Sequence, residues 1–299
     1  MTTITTACPA CAAPEESVDG PVSAGDLKGY PVKRCRRCGL QWLDPQPEDA
    51  TLAGIYREEY YDAWGIQRDE EVTRSLKRAT FARLLRPVLG LLPQSPRLLD
   101  CGAATGYLME EAAALGMEPY GVELSEFGAG QIAAKFGPSR VFRGPFDQAA
   151  FADADRDFFD VITMIDFIEH VRDPVSTLAK AHTLLRPGGI IILLTPNAAS
   201  LSRRIMRGRW LHFKVEHLYY FTPRSLTECL ERAGFDKARV RPAWKSMNIH
   251  YVTHQLAQYK HPVLTPVANV LSRISPGPLR RAMFPASFGE MLAVAVVKK

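Results

Sequence analysis

The sequence predicts an α/β fold built on a seven-stranded, mostly parallel sheet with helices on both faces. Three observations carry this. Apolar runs recur near 97–101, 119–123, 140–143, 158–165, 188–195, 236–241 and 290–297, with helical patterns between most of them. The first run, Arg97-Leu-Leu-Asp-Cys101, gives way to a turn bracketed by Gly102 and Gly106 and then to an Ala/Leu/Glu-rich helix. That order offers backbone N–H groups and a helix N-terminus to a ligand. Helix punctuation agrees with the parse. Asp173-Pro174 and Thr222-Pro223 each set a cap residue before a first-turn proline, and Gly234 closes a helix over 224–233.

A glycine-rich turn alone does not separate one nucleotide-derived ligand from another. Glu123 adds to it, closing the second apolar run 23 positions after Asp100. An acid at that strand end can hold a ribose diol. At these residues the sequence resembles the class I S-adenosylmethionine (SAM) dependent methyltransferases. Their first motif, acid-x-Gly-x-Gly-x-Gly, stands here as Asp100, Gly102, Ala104 and Gly106, with alanine at the middle glycine. Glu123, Phe159-Asp-Val-Ile-Thr-Met-Ile-Asp166 and Leu185-Arg-Pro-Gly-Gly-Ile-Ile-Ile-Leu-Leu194 follow in the family order, so the resemblance covers roughly residues 76–240.

The resemblance implies a Rossmann-like sheet whose last strand, near 291–297, runs antiparallel. It also implies that the backbone of Gly102 to Gly106 holds the methionine end of SAM and that Glu123 holds the ribose. The Gly144-Pro-Phe-Asp147 loop would meet the adenine, Phe146 packing on the ring and Asp147 accepting from its amino group. Asp166 would lie by the methionine part.

The bulk numbers fit a folded chain. With 299 residues, 46% apolar and 23% charged, it can bury a full core and is not disordered. A net charge of +5 permits an anionic acceptor or a membrane-surface encounter without demanding nucleic acid, and DNA is not an expected partner. Met1-Thr-Thr-Ile-Thr-Thr6 lacks the pattern of a signal peptide, and no apolar run reaches a bilayer span of roughly 18 residues. A cytoplasmic protein is expected.

Four of the six cysteines form two pairs, Cys8-Pro-Ala-Cys11 and Cys35-Arg-Arg-Cys38, separated by 23 residues. Two such knuckles suit the four-sulfur shell of a structural zinc ribbon, with free thiols or a redox pair as alternatives. Gly39 suits a turn at positive φ. All four positions are cysteine, which leaves no open site for catalysis, and so small a segment would draw its folding energy from the metal. The expected division is therefore a zinc ribbon over 1–45, a helical connector or lid over 46–95 and a catalytic domain over 96–299. In the connector, Tyr56, Tyr60 and Trp64 stripe one helix face, either packing on the main domain or covering the site, and a second helix spans 72–92.

Ile165-Asp-Phe-Ile-Glu-His-Val171 follows the fourth strand at the carboxyl end of the sheet, where open α/β folds bind ligands. His170 is the candidate general base, with a structural role as the alternative. Asp166, Glu169 and His170, with the distant His217, resemble the acid-x-x-Glu-His plus remote His arrangement of small-RNA 2′-O-methyltransferases and quinone O-methyltransferases. That resemblance implies Mg²⁺ or Mn²⁺ beside the acceptor oxygens, although Asp166 is shorter than the usual glutamate. Arg203, Arg204, Arg207, Arg209 and Lys214 surround Trp210, His212 and Phe213, as a solvated face or as contacts to an anionic substrate.

Glu216-His-Leu-Tyr-Tyr-Phe-Thr-Pro-Arg-Ser-Leu226 is similar to a segment of bacterial sugar, polysaccharide and secondary-metabolite methyltransferases, some of which carry an N-terminal zinc ribbon. The expected function is thus SAM-dependent methylation of a small polar metabolite. The rivals are an RNA methyltransferase using Arg34, Arg36 and Arg37 of the ribbon, and a non-catalytic SAM-binding scaffold. Residues 243–288 form an insertion before the last strand that would cap the site, make a homodimer contact or rest on a membrane, its prolines opposing one long helix.

Overall fold

The computed structural model describes residues 7–22, 24, 27–55, 70–151, 156–253 and 264–298. The aromatic stripe at Tyr56, Tyr60 and Trp64 lies outside them. In chain order the strands are β1 (Val18–Asp19), β2 (Val32–Cys35), β3 (Gln41–Leu43), β4 (Arg97–Cys101), β5 (Glu118–Glu123), β6 (Val141–Arg143) and β7 (Phe159–Ile165). There follow β8 (Leu185–Pro196), β9 (Tyr219–Tyr220), β10 (Asp236–Pro242), β11 (Lys245–Met247), β12 (Phe284–Ala286) and β13 (Glu290–Val296). The helices are α1 (Asp49–Ala53), α2 (Glu70–Leu89), α3 (Tyr107–Ala114), α4 (Glu126–Phe136), α5 (Pro174–Leu184), α6 (Leu201–Met206), α7 (Pro223–Arg232), α8 (Leu264–Ile274) and α9 (Gly277–Arg281).

The seven-stranded sheet has the order β10-β13-β8-β7-β4-β5-β6. Its β8, β7, β4, β5 and β6 run parallel, and β13 is antiparallel to both neighbours. The α/β architecture read from the apolar runs is therefore the architecture observed. β7 and β8 form the sheet's centre, and their near-continuous apolar runs are buried as doubly covered strands require. The strand expected from 188 begins at Leu185, because Leu185 already pairs with Phe159 before the register shifts to Val161 opposite Ile190.

The punctuation works as read. Asp173 accepts from the Ser176 amide, Thr222 and Ser225 close a capping box, and Gly234 takes φ +96°.

One feature escaped the sequence reading. The N-terminal segment builds a four-stranded sheet of order β1-β2-β3-β9, whose last strand comes from the main domain. Gln41 and Trp42 pair antiparallel with Tyr220 and Tyr219, and the Leu43 amide donates to Leu218 O at 3.0 Å. Trp42, Tyr220 and Phe221 are fully buried in a core that runs without a break from the four cysteines to β7 and β8. Within the insertion, β11 and β12 pair antiparallel, and Pro276 stands between two helices in place of one long one. Among the described residues no helix is long and apolar enough to cross a membrane.

Candidate functional site

A cavity of about 1230 Å³ opens at the carboxyl ends of β4, β5 and β7. Its floor is the turn between β4 and α3. Gly102, Ala104 and Gly106 take φ values of +76°, +49° and +84°, so the alanine at the motif's middle position keeps the left-handed conformation at some strain. A methyl group on Gly102 would come within 2.9 Å of the Phe167 ring, and one on Gly128 of α4 within 2.5 Å of the Ala104 carbonyl. These two close approaches fix the shape of the loop.

Its amides are largely engaged within the chain. Gly102 and Ala103 N–H donate to Val122 O at 2.9 and 3.0 Å, and Ala104 N–H donates to Glu123 Oε2 at 2.7 Å. The loop thus presents a preorganised concave surface, followed by the first turn of α3, whose amides have no intrahelical acceptor.

The buried Glu123 also accepts from the Ser125 amide at 2.8 Å through Oε1, so it braces the loop while facing the cavity. Asp100 is buried, accepts from Thr163 Oγ1 at 2.8 Å, and is pushed up by burial to about 7. Phe146 is buried and meets Phe167 edge-on at 6.2 Å between ring centroids, while the neighbouring Asp147 is exposed at the cavity rim. The cavity therefore brings together Asp100, Gly102, Ala104, Glu123, Phe146, Asp147, Asp166, Glu169, His170 and His217.

At the other end lies a cluster of titratable groups. His170 Nδ1–H donates to Glu216 O at 2.9 Å, and the His170 and His217 rings meet edge-on at 4.8 Å. Glu169 Oε2 accepts from Thr195 Oγ1 at 2.9 Å. One ligating atom from each of Glu169, His170 and His217 lies within 4.8 Å of the others. Glu169 Oε1 and His217 Nδ1 are buried without hydrogen-bond partners among the described residues. Burial holds both imidazoles neutral, His170 at about 4 and His217 well below the ordinary imidazole value. Burial, with Asp166 nearby, pushes the Glu169 carboxyl up to about 8.

Asp166 stands apart from that cluster. Its carboxylate pairs with Lys245 Nζ at 2.9 Å, and Lys245 also reaches Glu290 at 3.4 Å. Burial opposes both charges, but the pairing outweighs it, keeping Asp166 ionised and the ammonium charged. Asp166 has φ +50°, a strained position for a non-glycine residue at the end of β7. Of the four residues expected from the sequence to share a cation, the structure groups Glu169, His170 and His217 among the described residues, while Asp166 pairs with Lys245.

Sequence reasoning missed Lys77, Phe167, Lys245 and Glu290, all of which line the cavity. Burial depresses the Lys77 ammonium, which lies in the field of Asp166 and Asp100. Glu290 left a signal, a charge opening an otherwise apolar strand; Lys245, on an insertion of no regular pattern, left none.

Of the arginine run, Arg204, Arg207 and Arg209 are exposed, Arg203 lies over the Phe213 ring at 4.7 Å, and Lys214 lines the cavity. In the N-terminal segment, Arg37 donates to Cys11 O at 3.0 Å and to Glu228, while Arg36 pairs with Asp19 and donates to Glu16 O. Two of the three arginines that an RNA contact would need are therefore bonded within the chain.

The four buried cysteines converge, Cys8 Sγ lying 3.6 Å from Cys38 Sγ and Cys11 Sγ 3.7 Å from Cys35 Sγ. A tetrahedron with Zn–S bonds near 2.3 Å has edges of about 3.8 Å, so the donor set fits zinc.

The profile of a family described as methyltransferase domain matches residues 67–240, more than half of the chain. The chain belongs to that family. It is of the class I SAM-dependent kind, as the sheet order and the motif order both require.

Relatives include ubiquinone biosynthesis O-methyltransferases from three bacteria. That of Cereibacter sphaeroides (strain ATCC 17029 / ATH 2.4.9) is 32% identical over 47% of this chain and 60% of its own length. That of Ruegeria pomeroyi is 34% identical over 50% and 62%, and that of Azorhizobium caulinodans 30% identical over 70% and 81%. The chain thus spans about 60% of the first of these curated relatives.

Among solved structures, a SAM-dependent methyltransferase from Thermotoga maritima aligns with a TM-score of 0.50 and 21% identity over 83% of this chain and 99% of that one. Haemonchus contortus phosphoethanolamine N-methyltransferase 2 aligns with a TM-score of 0.52 and 17% identity, over 87% and 63%. At such identities the likeness is one of fold.

Proposed function

We propose that the chain transfers a methyl group from SAM to an oxygen of a small hydroxyl-bearing acceptor. The observation that carries this is the placement of Glu169, His170 and His217 in the same cavity as the Gly102–Gly106 loop and Glu123. When bound, SAM supplies an electrophilic methyl group on a sulfonium. The residues here would hold it as the family's motif implies, with Glu123 on the ribose diol, Phe146 and Asp147 at the adenine, and Asp100 and Asp166 toward the methionine part. Two carboxylate oxygens that each already accept one amide keep lone pairs for a diol.

His170 would act on the acceptor. Its Nδ1–H is committed to Glu216 O, which fixes the tautomer and makes Nε2 the basic nitrogen. A base near an acceptor hydroxyl would take the proton as the C–O bond forms and the methyl–sulfur bond breaks, its electron pair staying on sulfur, and holding the oxygen in line would supply much of the remaining rate. Oxygen as the acceptor atom is further supported by the curated relatives, which are named as O-methyltransferases. The polar, sugar-derived metabolite expected from the sequence belongs to this hydroxyl class.

A second reading has its own support, because Glu169 Oε1 and His217 Nδ1 stand beside His170 without hydrogen-bond partners among the described residues. Two imidazoles and a carboxylate can hold a divalent cation, and the Glu216 carbonyl would orient His170 as an outer partner. Such an ion would lower the pKa of an acceptor hydroxyl. We also infer that Cys8, Cys11, Cys35 and Cys38 hold one structural zinc.

The test is transfer of labelled methyl from SAM to a panel of phenolic, catecholic and sugar-nucleotide hydroxyl acceptors, with and without Mg²⁺ or Mn²⁺. Labelled ether product, lost in His170→Ala, is expected. Product on nitrogen or carbon alone would overturn the oxygen assignment.

A further inference from the structure

The segment between β11 and β13 has a surface that a freely solvated domain does not need. On α8, Val267, Val270 and Ile274 fall on one stripe at i, i+3 and i+7, opposite the buried Ala268. Leu279 on α9 and Met283 just beyond it continue the apolar surface, and all five are between 51% and 71% exposed. Trp244, before β11, and Phe284, at the start of β12, are exposed as well.

The charges in this region have one sign. From Asn248 to Gly289 the sequence contains four Lys or Arg and not one Asp or Glu. Arg273, Arg280 and Arg281 stand exposed among the apolar side chains. The segment also borders the cavity at both ends. Tyr251 and Val252 line it before the helices, and Phe288 and Glu290 line it after them. Ser202 of α6 bonds the Phe288 carbonyl at 2.7 Å, which ties in a second helix with exposed Leu201 and Ile205 and exposed Arg204.

We propose that this face, formed by α8, α9 and the start of β12, docks on an anionic lipid surface beside the cavity mouth. Interleaved arginines and large apolar side chains match the phosphates and the acyl boundary of a bilayer, the pattern of helices that lie in a membrane interface. The same pattern disfavours the other occupants. A second copy of the face would set arginines against arginines with no acid to neutralise them. A nucleic acid offers the phosphates but leaves the apolar stripe uncovered.

The test is co-sedimentation of the full-length protein with vesicles of phosphatidylglycerol and phosphatidylcholine, against phosphatidylcholine alone. The structure predicts binding to the anionic vesicles that weakens at least tenfold in Val270→Asp/Ile274→Asp and in Arg280→Glu/Arg281→Glu. These residues are exposed, and SAM affinity and thermal midpoint measured on the same samples would show that the variants remain folded. Equal binding to both vesicle types, or binding that both variants retain, would overturn the proposal. So would a dimer mass by light scattering that Val270→Asp halves, since the face would then belong to a second copy.

Discussion

Glu123 shows how one residue can brace a site and serve it. It fixes two amides, one on the turn after β4 and one at the cap of α4, while facing the cavity. Glu123→Ala should weaken SAM binding by about 1–3 kcal/mol, the scale of a lost charged hydrogen bond, with Glu123→Gln intermediate; calorimetric titration measures both. Gly102→Ala tests the shape of the loop itself. Adding a side chain at φ +76° costs about 1–2 kcal/mol before the contact with Phe167 is counted, so SAM affinity should fall while most of the fold survives.

His170 makes a pH prediction. Burial lowers its folded pKa from 6.5 to about 4, so as pH falls the unfolded chain takes up the proton first. Stability should therefore decline between about pH 6.5 and 4, while the base stays neutral in the folded enzyme. Glu169 at about 8 and Asp100 at about 7 titrate between pH 8 and 6, so an acid limb of kcat/KM centred at 6.5 would contradict the placement of His170 only if it persisted in Glu169→Gln and Asp100→Asn.

At the scale of elements, the four-cysteine segment and the cavity wall that carries His217 are one construction. Thr222 caps α7 and donates to Cys38 O at 2.7 Å, and Arg232 near the other end of α7 donates to Pro9 O and Ala10 O at 2.8 Å. β9 joins the ribbon's sheet only two residues after His217. Chelation of the zinc proposed for the four cysteines, or Cys35→Ser, should therefore lower the thermal midpoint and the transfer rate together, although no cysteine lines the cavity. Thr222→Val, which removes the cap and the bond to Cys38, should cost about 1–2 kcal/mol of stability by denaturant unfolding.

The sequence showed both halves of this construction and not their junction. Cys-x-x-Cys spacing is a local signal, as is the strand–turn–helix around Gly102. The pairing of Gln41-Trp42 with Tyr219-Tyr220 joins residues almost 180 positions apart through strands too short to show any alternation. The same physics hid Lys245. Its role comes from where β11 lands, beside Asp166 and Glu290, and not from any pattern around it. Motif residues were legible because their chemistry demands particular types at fixed spacing; long-range ion pairs carry no such mark.

Over the whole molecule, one cavity takes lining residues both from the stretch before β9, Lys214 and His217 among them, and from the insertion, which has no acidic residue, Tyr251, Val252 and Phe288 among them. The residues proposed to hold SAM and those proposed to act on the acceptor share one cavity because β4, β5 and β7 end at one rim.

The most direct measurement of the central claim is calorimetric titration of the full-length protein with SAM and with its demethylated product. One site per chain for each ligand, weakened in Glu123→Ala and in Gly102→Ala, is the predicted result. Absence of binding to either ligand, in protein shown to be folded, would contradict the account.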